Sequence, residues 1–421
     1  MLFRSLEKLI ELDNKAELFR KVEDIPEGVM YVLDKSKKLE RIKKSHSKNF
    51  LLTGSTGFLG IHILEELLRI DNTNIYCIIR SEPGLTPENK LIQKLDFYFD
   101  GKYKDLINKR IFILTGNTTE PNFGLKQDDL INIVDNIDIV INSAANVSHY
   151  GKYDNFYKSN VLSVKHMIAF CRSYNKKLYH ISTTGVAGIS LDSSYLTDKK
   201  KNSIIFDESN LYIGQHPETV YSYTKFEAEI QVLTAINNGL DGYILRMGNL
   251  MPRFRDGKFQ ENYLSNAFLN RVASFIKIGI IPEYLIDFPL EFTPIDYAAK
   301  AICEIVTHYT NKNRIFHLFN NKYVPFSKCL KVLKQQNLKL EVLNEKDFVD
   351  RINEIFKNED YKYLLNYLLD DFDENTHIDY RANMKIKSKF TKRYLRRTFF
   401  LWPRINDKYL IKFFEILKEV I

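Results

Sequence analysis

In Asn49-Phe50-Leu51-Leu52-Thr53-Gly54-Ser55-Thr56-Gly57-Phe58-Leu59-Gly60 a short apolar run breaks into glycines at every third position. Ile63, Leu64, Leu67 and Leu68 follow at the spacing of one helix face, so the stretch predicts a strand, a tight turn and a helix with one buried side. Such a turn needs a residue free to take unusual dihedrals, and a pyrophosphate against the backbone needs a position without a side chain. Gly54 and Gly57 serve those needs, while Gly60 lets helix and strand approach closely. The first amides of the helix then face an anion with no partner of their own. An ordinary glycine-rich turn is the competing reading. A second apolar strand over residues 74–79 arrives at the spacing of a βαβ unit and favours the phosphate cradle.

That second strand ends at Arg80. A carboxylate there would accept from ribose hydroxyls, whereas an arginine suits the extra phosphate of NADPH, which is therefore expected over NADH. Solvent exposure alone would explain a single arginine equally well. Lys90 and Lys94 are further candidates for positive potential. Another strand spans residues 110–115 and turns at Gly116-Asn117. The apolar run 137–142 leads into Ser143-Ala144-Ala145, small enough to lie beneath a cofactor. A helix over 160–173, a strand over 177–182 and a strand over 243–246 continue the alternation. The pattern predicts an α/β, Rossmann-type, mostly parallel sheet with helices on both faces.

The chemistry centres on Tyr221-Ser222-Tyr223-Thr224-Lys225. In a helix, Tyr221 and Lys225 stand one turn apart on the same face. A free phenol ionises near ~10. A nearby ammonium stabilises the phenolate and lowers the cost of proton transfer. Lys225 would also hold the nicotinamide ribose hydroxyls. The spacing alone says little in a chain with 25 tyrosines, and Tyr223 is a competing aromatic, read as packing or substrate-lining. A third candidate lies in His180-Ile181-Ser182-Thr183-Thr184-Gly185. A hydroxyl just beyond a parallel strand can donate to a developing oxyanion. Thr183 is the first choice, with Thr184 and Ser182 as alternatives and a capping hydroxyl as the plainer reading. With the glycines, these residues predict a nicotinamide-dependent reductase.

Several segments carry a resemblance: 52–60, Asn142-Ser143-Ala144-Ala145-Asn146-Val147, Tyr221 to Lys225, Leu245-Arg246-Met247-Gly248-Asn249-Leu250, Asp256-Gly257-Lys258-Phe259-Gln260, and Asp287-Phe288 with Phe292-Thr293-Pro294-Ile295-Asp296-Tyr297. The chain resembles the extended short-chain dehydrogenases/reductases, and within them the thioester reductase domains that terminate nonribosomal peptide synthetases. The resemblance runs from about residue 49 to the end. It implies that Thr183, Tyr221 and Lys225 form the active-site triad. Gly54, Thr56, Gly57, Phe58, Leu59 and Gly60 would cradle the cofactor, with Ala144, Tyr221 and Lys225 also in contact. Asn160 would match the family asparagine beside the cofactor, and Arg80 the basic residue at the adenosine phosphate. Asn117 stands where the family usually has an aspartate at the adenine edge, and Ser163-Val164 replace a usual Gly-Thr.

By that resemblance, NADPH reduces an acyl chain held as a thioester on the phosphopantetheine arm of a peptidyl carrier protein. The hemithioacetal would collapse to an aldehyde, and a second reduction would give the alcohol. A fatty acyl-CoA or carboxylic acid reductase is the enzymatic alternative. A dinucleotide-binding regulator without turnover is the other, and the retained Tyr221 and Lys225 argue against it.

At 421 residues and 44% hydrophobic, the chain can bury a large core and a second domain. The expected division is a helical arm and linker over 1–48, with an amphipathic helix at 2–18, and a cofactor domain over 49–245. A strand near 315–320 would return to that sheet, and 246–421 would form a smaller, mainly helical substrate and carrier-docking domain. The loop 251–257 is expected at the substrate entrance. No apolar run is long enough to span a membrane and no secretory leader is evident, so no membrane association is expected. Cys77, Cys171, Cys303 and Cys329 form no close pair or metal spacing, which fits a reduced cytoplasm and no metal centre. Formal charge is +8, with basic residues concentrated at 385–397. That run suits a solvated helix face or the docking of an acidic carrier protein. Nucleic acid is not expected, since no recognition motif accompanies the charge. The lead-in fits a domain excised from a synthetase as well as a free-standing reductase.

Overall fold

The computed structural model describes residues 43–44, 48–148, 151–190, 204–217, 219–263, 266–309, 314–355 and 384–417. The helix expected at 2–18 lies outside the described residues.

Seven strands build the central sheet: β1 (Asn49–Thr53), β2 (Asn74–Ile79), β3 (Ile111–Thr115), β4 (Ile139–Asn142), β5 (Lys177–Thr183), β6 (Gly242–Met247) and β7 (Ile315–Leu318). Their spatial order is 3-2-1-4-5-6-7, and every pairing is parallel. The order reverses beside β1, which opens a crevice at the carboxyl ends of β1 and β4, where α/β sheets bind ligands.

Both faces of the sheet are covered, and the strands accordingly read as near-continuous apolar runs. Phe50 and Leu52 face one layer with Leu51 in the other, and none of the three is exposed to solvent. The first layer holds α1 (Phe58–Leu68) and α2 (Pro87–Phe99). On the opposite side pack α3 (Gln127–Asn136), α4 (Ser163–Ser173) and α5 (Val220–Asn237). The helix expected at 160–173 begins earlier, at Tyr153–Phe156, and passes through one π-helical turn, Tyr157–Leu162, before α4.

A second core gathers α6 (Ala267–Ile278), α8 (Phe326–Gln335), α9 (Glu345–Ile355) and α11 (Asp407–Leu417) around Phe275, Phe292, Phe326 and Phe413. The C-terminal third is shared between the two cores. α7 (Ile295–Thr307) and α10 (Lys389–Arg397) return with β7 to the first layer. Ala298, Ala299 and Ala301 on α7 are fully buried, and their small side chains let α7 come close to α1.

Three sequence motifs turn out to be anchors of this arrangement. Arg246 of β6 is fully buried and forks onto Glu229 of α5, at 2.9 Å from Nε and 2.6 Å from Nη2. Its other nitrogen donates to the Asn210 carbonyl at 2.9 Å. Asp296, at the first turn of α7, accepts from the amides of Phe254 at 2.9 Å and Arg255 at 3.3 Å. Within the loop 251–257, Arg255 pairs with Glu65 at 2.9 Å and Arg253 donates to the Tyr98 carbonyl at 2.5 Å. The loop is thus tied to α1 and α2, with Arg253 buried and Arg255 and Asp256 still exposed. In the basic run, Tyr394 and Leu395 pack into the core while Lys392, Arg393, Arg396 and Arg397 stay exposed, the amphipathic pattern of a surface helix.

Among the described residues no helix is long and apolar enough to cross a membrane, and no group of side chains could hold a metal ion. All four cysteines are buried and free.

Candidate active site and dinucleotide cradle

β1 runs into Gly54, whose φ of +71° favours a residue without a side chain. A Cβ there would lie 2.7 Å from the Ala144 nitrogen and 2.8 Å from the Ser143 carbonyl carbon, so the turn rests directly on the backbone leaving β4. Ala144 is tied from its amide to Thr53 Oγ1 at 3.3 Å. Gly60 is held tighter still, since its Cβ would sit 2.0 Å from the Gly54 oxygen. By contrast Gly57, the N-cap of α1, is exposed, and its Cβ would meet only the Gly54 oxygen, at 3.3 Å. No side chain caps α1. Its first amides are therefore free for an anion, and this bare, glycine-lined helix start fits a dinucleotide pyrophosphate.

Around that cradle the expected residues fall into place unevenly. Thr56 is half-buried at the turn, and Phe58 packs edge-on against Phe259 at 5.7 Å between centroids, joining the two cores. Leu59 is a core side chain, which leaves only its backbone for a phosphate. Arg80 stands exposed at the carboxyl end of β2. Lys90 and Lys94 do not add free positive potential there: Lys90 is bonded to Glu82 and Lys94 to Glu261, so their charge is compensated locally. Asn117 turns its side chain onto its own loop, accepting from the Thr119 amide at 3.2 Å and donating to Glu120 at 3.2 Å.

The catalytic candidates meet at the carboxyl end of β5. Thr183 ends the strand, and its hydroxyl accepts from the Gly185 amide at 3.0 Å. The start of α5 lies beside that turn, and the same hydroxyl favours ionisation of the Tyr221 phenol slightly. Ser182 is buried, with no partner found for its hydroxyl, and Thr184 is buried in the following turn. Of the three hydroxyls, that of Thr183 is the one that acts on the tyrosine.

Tyr221 and Lys225 lie on α5, whose start is fixed by Thr219 accepting from the Ser222 amide at 3.1 Å. Tyr223 is buried against Phe156 and Val220 and serves packing. Burial pushes the Tyr221 phenol up to about 12, with the Thr183 hydroxyl pulling weakly the other way. The neighbouring lysine was expected to lower it. In the structure desolvation dominates, because the Lys225 ammonium turns to the Ile181 carbonyl at 2.5 Å and to His180 Nε2 at 3.4 Å. Burial brings Lys225 down to about 8, against the opposing pull of Glu229.

Asn160 lies in the π-helical turn, a form often found at functional sites. Its side chain accepts from the Asn146 amide at 2.7 Å and donates to Thr224 Oγ1 at 3.0 Å. It thereby ties α5 to the loop leaving β4. The sequence reading missed Asn142 and His180, which lie buried between cradle and lysine. An isolated histidine inside an apolar strand was the only signal for them.

With this geometry in place, comparison with known proteins is informative. The model of the NAD-binding family described as male sterility protein matches residues 52–302. A component of the linear gramicidin synthase of Brevibacillus parabrevis is 24% identical over 73% of this chain. Glycine betaine reductase ATRR of Emericella nidulans is 26% identical over 72% of it. The matched regions make up only 6% and 23% of those two proteins. A thiolation-reductase di-domain from an archaeal non-ribosomal peptide synthetase superposes with a TM-score of 0.76 at 32% identity, over 90% of this chain and 76% of that one. The terminal R domain of the myxalamid PKS-NRPS pathway shares the fold, with a TM-score of 0.75 at 22% identity over 97% of this chain and 98% of its own.

Proposed function

The chain belongs to the male sterility protein family and, within it, to the terminal reductase domains of nonribosomal peptide and polyketide synthetases, and from that premise we propose that it releases an acyl or peptidyl thioester reductively. The substrate is a chain carried on the phosphopantetheine of a peptidyl carrier protein, the preferred reductant is NADPH, and the product is an aldehyde. The observation that carries this reading is the placement of Thr183, at the end of β5, beside the first turn of α5 that bears Tyr221, one strand from the glycine cradle of β1 across β4.

When bound, the nicotinamide supplies the hydride. Everything else falls to the chain. Gly54, Gly57 and Gly60 keep side chains away from the pyrophosphate, and the start of α1 faces its charge. Two hydroxyls, from Thr183 and Tyr221, donate to the thioester oxygen as negative charge grows on it. Tyr221, kept protonated by burial, delivers its proton there. Lys225 is charged at neutral pH and is the group assigned to the nicotinamide ribose hydroxyls. Thiol is a good leaving group, so collapse of the resulting hemithioacetal needs no further acid of matched strength.

Arg80 is the residue assigned to the adenosine phosphate. Replacing it in Arg80→Ala weakens NADPH binding by about 10-fold, the scale of one charged hydrogen bond, and leaves NADH binding unchanged. Fluorescence titration of both cofactors reads the difference; equal losses for the two would remove Arg80 from phosphate recognition. The overall reading is tested by NADPH oxidation on aminoacyl and peptidyl phosphopantetheine thioesters beside fatty acyl-CoA. Turnover of fatty acyl-CoA alone would move the chain to lipid reduction.

A further inference from the structure

Below the Thr183–Tyr221 pair a file of buried polar side chains crosses from β1 to α5. Thr53 Oγ1 lies 2.7 Å from Asn142 Oδ1, Asn142 Nδ2 lies 3.3 Å from His180 Nδ1, and His180 Nε2 lies 3.4 Å from Lys225 Nζ. None of the four is more than 2% exposed. Polar groups at that depth are costly unless each is paired, so the file is a constrained unit. The mechanism above makes no use of His180.

A neutral imidazole offers one N–H and one lone pair. Burial and the charge on Lys225 both keep His180 neutral. It therefore cannot accept from the Asn142 amide and from an ammonium at once. An amide's two ends are told apart by their hydrogen bonds. With the amide turned, Asn142 Nδ2 donates to Thr53 Oγ1 in place of the bond Thr53 gives Oδ1, Oδ1 accepts from His180 Nδ1–H, and Nε2 is free to accept from a charged Lys225. In the opposite orientation Nε2 carries the hydrogen, and only an uncharged Lys225 could receive it.

We propose that His180 is a positioning residue for Lys225: turned by Asn142, its Nε2 receives the ammonium and, with the Ile181 carbonyl, keeps the proton on Lys225 and the nitrogen fixed at the end of β5. This rests on Lys225 serving the cofactor in the reaction proposed above. The other groups around the ammonium are few. On α5 itself the charged group facing it is Glu229, already forked onto Arg246 of β6. From β5 comes His180, and from β4 the uncharged Asn142 behind it.

The sign follows directly. Lys225 supports activity and cofactor binding while charged, so both fall as pH rises through about 8. Removing the lone pair of His180 destabilises the charged form and moves that fall to lower pH. The experiment measures NADPH affinity by fluorescence and kcat/KM across the range from about pH 6 to about pH 10. His180→Leu is expected to shift the alkaline limb down by about one unit in both readouts, while His180→Asn, whose amide oxygen can accept, stays near wild type. Asn142→Asp, which forces the hydrogen onto Nδ1, shifts the limb upward and carries the test alone if His180→Leu does not fold. A limb that stays in place, or a loss equal at every pH, would overturn the proposal. The affinity readout decides it even if the wild-type chain reduces no thioester, which would count against the functional reading instead.

Discussion

Tyr221→Phe binds NADPH as the wild-type chain does and loses thioester reduction by about 100- to 10,000-fold, the usual contribution of a positioned general acid. The loss falls on chemistry because the substitution removes one oxygen and leaves the rest of the site standing. α5 keeps its Thr219 cap, and Asn160 still holds Thr224 and the loop leaving β4. Lys225 remains bonded to the Ile181 carbonyl. What disappears is the proton that burial keeps on the phenol. Thr183 then faces the growing charge alone, with a hydroxyl far too weakly acidic to give up its proton. Initial rates beside a cofactor titration check both halves. A variant that retains more than a tenth of the rate would move the acid role elsewhere.

Gly60→Ala is the second large effect, and it acts through the cradle. Its new Cβ would stand 2.0 Å from the Gly54 oxygen and 2.6 Å from the Gly54 carbonyl carbon. Both are backbone atoms, so no rotamer change relieves the clash. The turn must move by roughly 1 Å or more, and a misplacement of that size costs on the order of 100-fold in a preorganised site. Gly54 cannot yield easily, because it already lies against Ser143 and Ala144. The expected outcome is a matching rise in the NADPH dissociation constant together with a lower melting temperature. Gly57→Ala separates sterics from binding: its Cβ meets only one atom, at 3.3 Å. That variant folds normally and loses affinity only through the methyl group it turns toward the phosphates. Equal NADPH affinity in Gly60→Ala and wild type would show that the dinucleotide does not lie on this turn.

Features encoded over a few residues were legible from the sequence, and features made by distant strands were not. The strand, glycine turn and helix of residues 49–68 are local, as is the one-turn spacing of Tyr221 and Lys225, and both appear in the structure in the expected elements. The sequence puts Thr183 first among three hydroxyls, and the fold supplies the reason, since the first turn of α5 comes beside the end of β5 and brings Tyr221 under that hydroxyl's influence. The His180 file joins residues from β1, β4, β5 and α5, and its contacts span 38 to 89 positions along the chain. No local pattern records such contacts. The same is true of Lys94, compensated by Glu261 from 167 residues away. Electrostatics misled the sequence reading at Tyr221, because helical spacing shows that a lysine is one turn off but not that its ammonium turns toward the sheet. Asn117, the residue proposed for the adenine edge, bonds its side chain to neighbours two and three residues on.

The central claim is tested most directly by single turnover of a carrier-bound peptidyl thioester with NADPH carrying deuterium at the transferred position. Reductive release predicts an aldehyde with deuterium on the former carbonyl carbon, a carrier returned with its free phosphopantetheine thiol, and neither product with Tyr221→Phe. Release of an undeuterated carboxylic acid with the cofactor unchanged, or a thioester left intact while NADPH is bound, would contradict it.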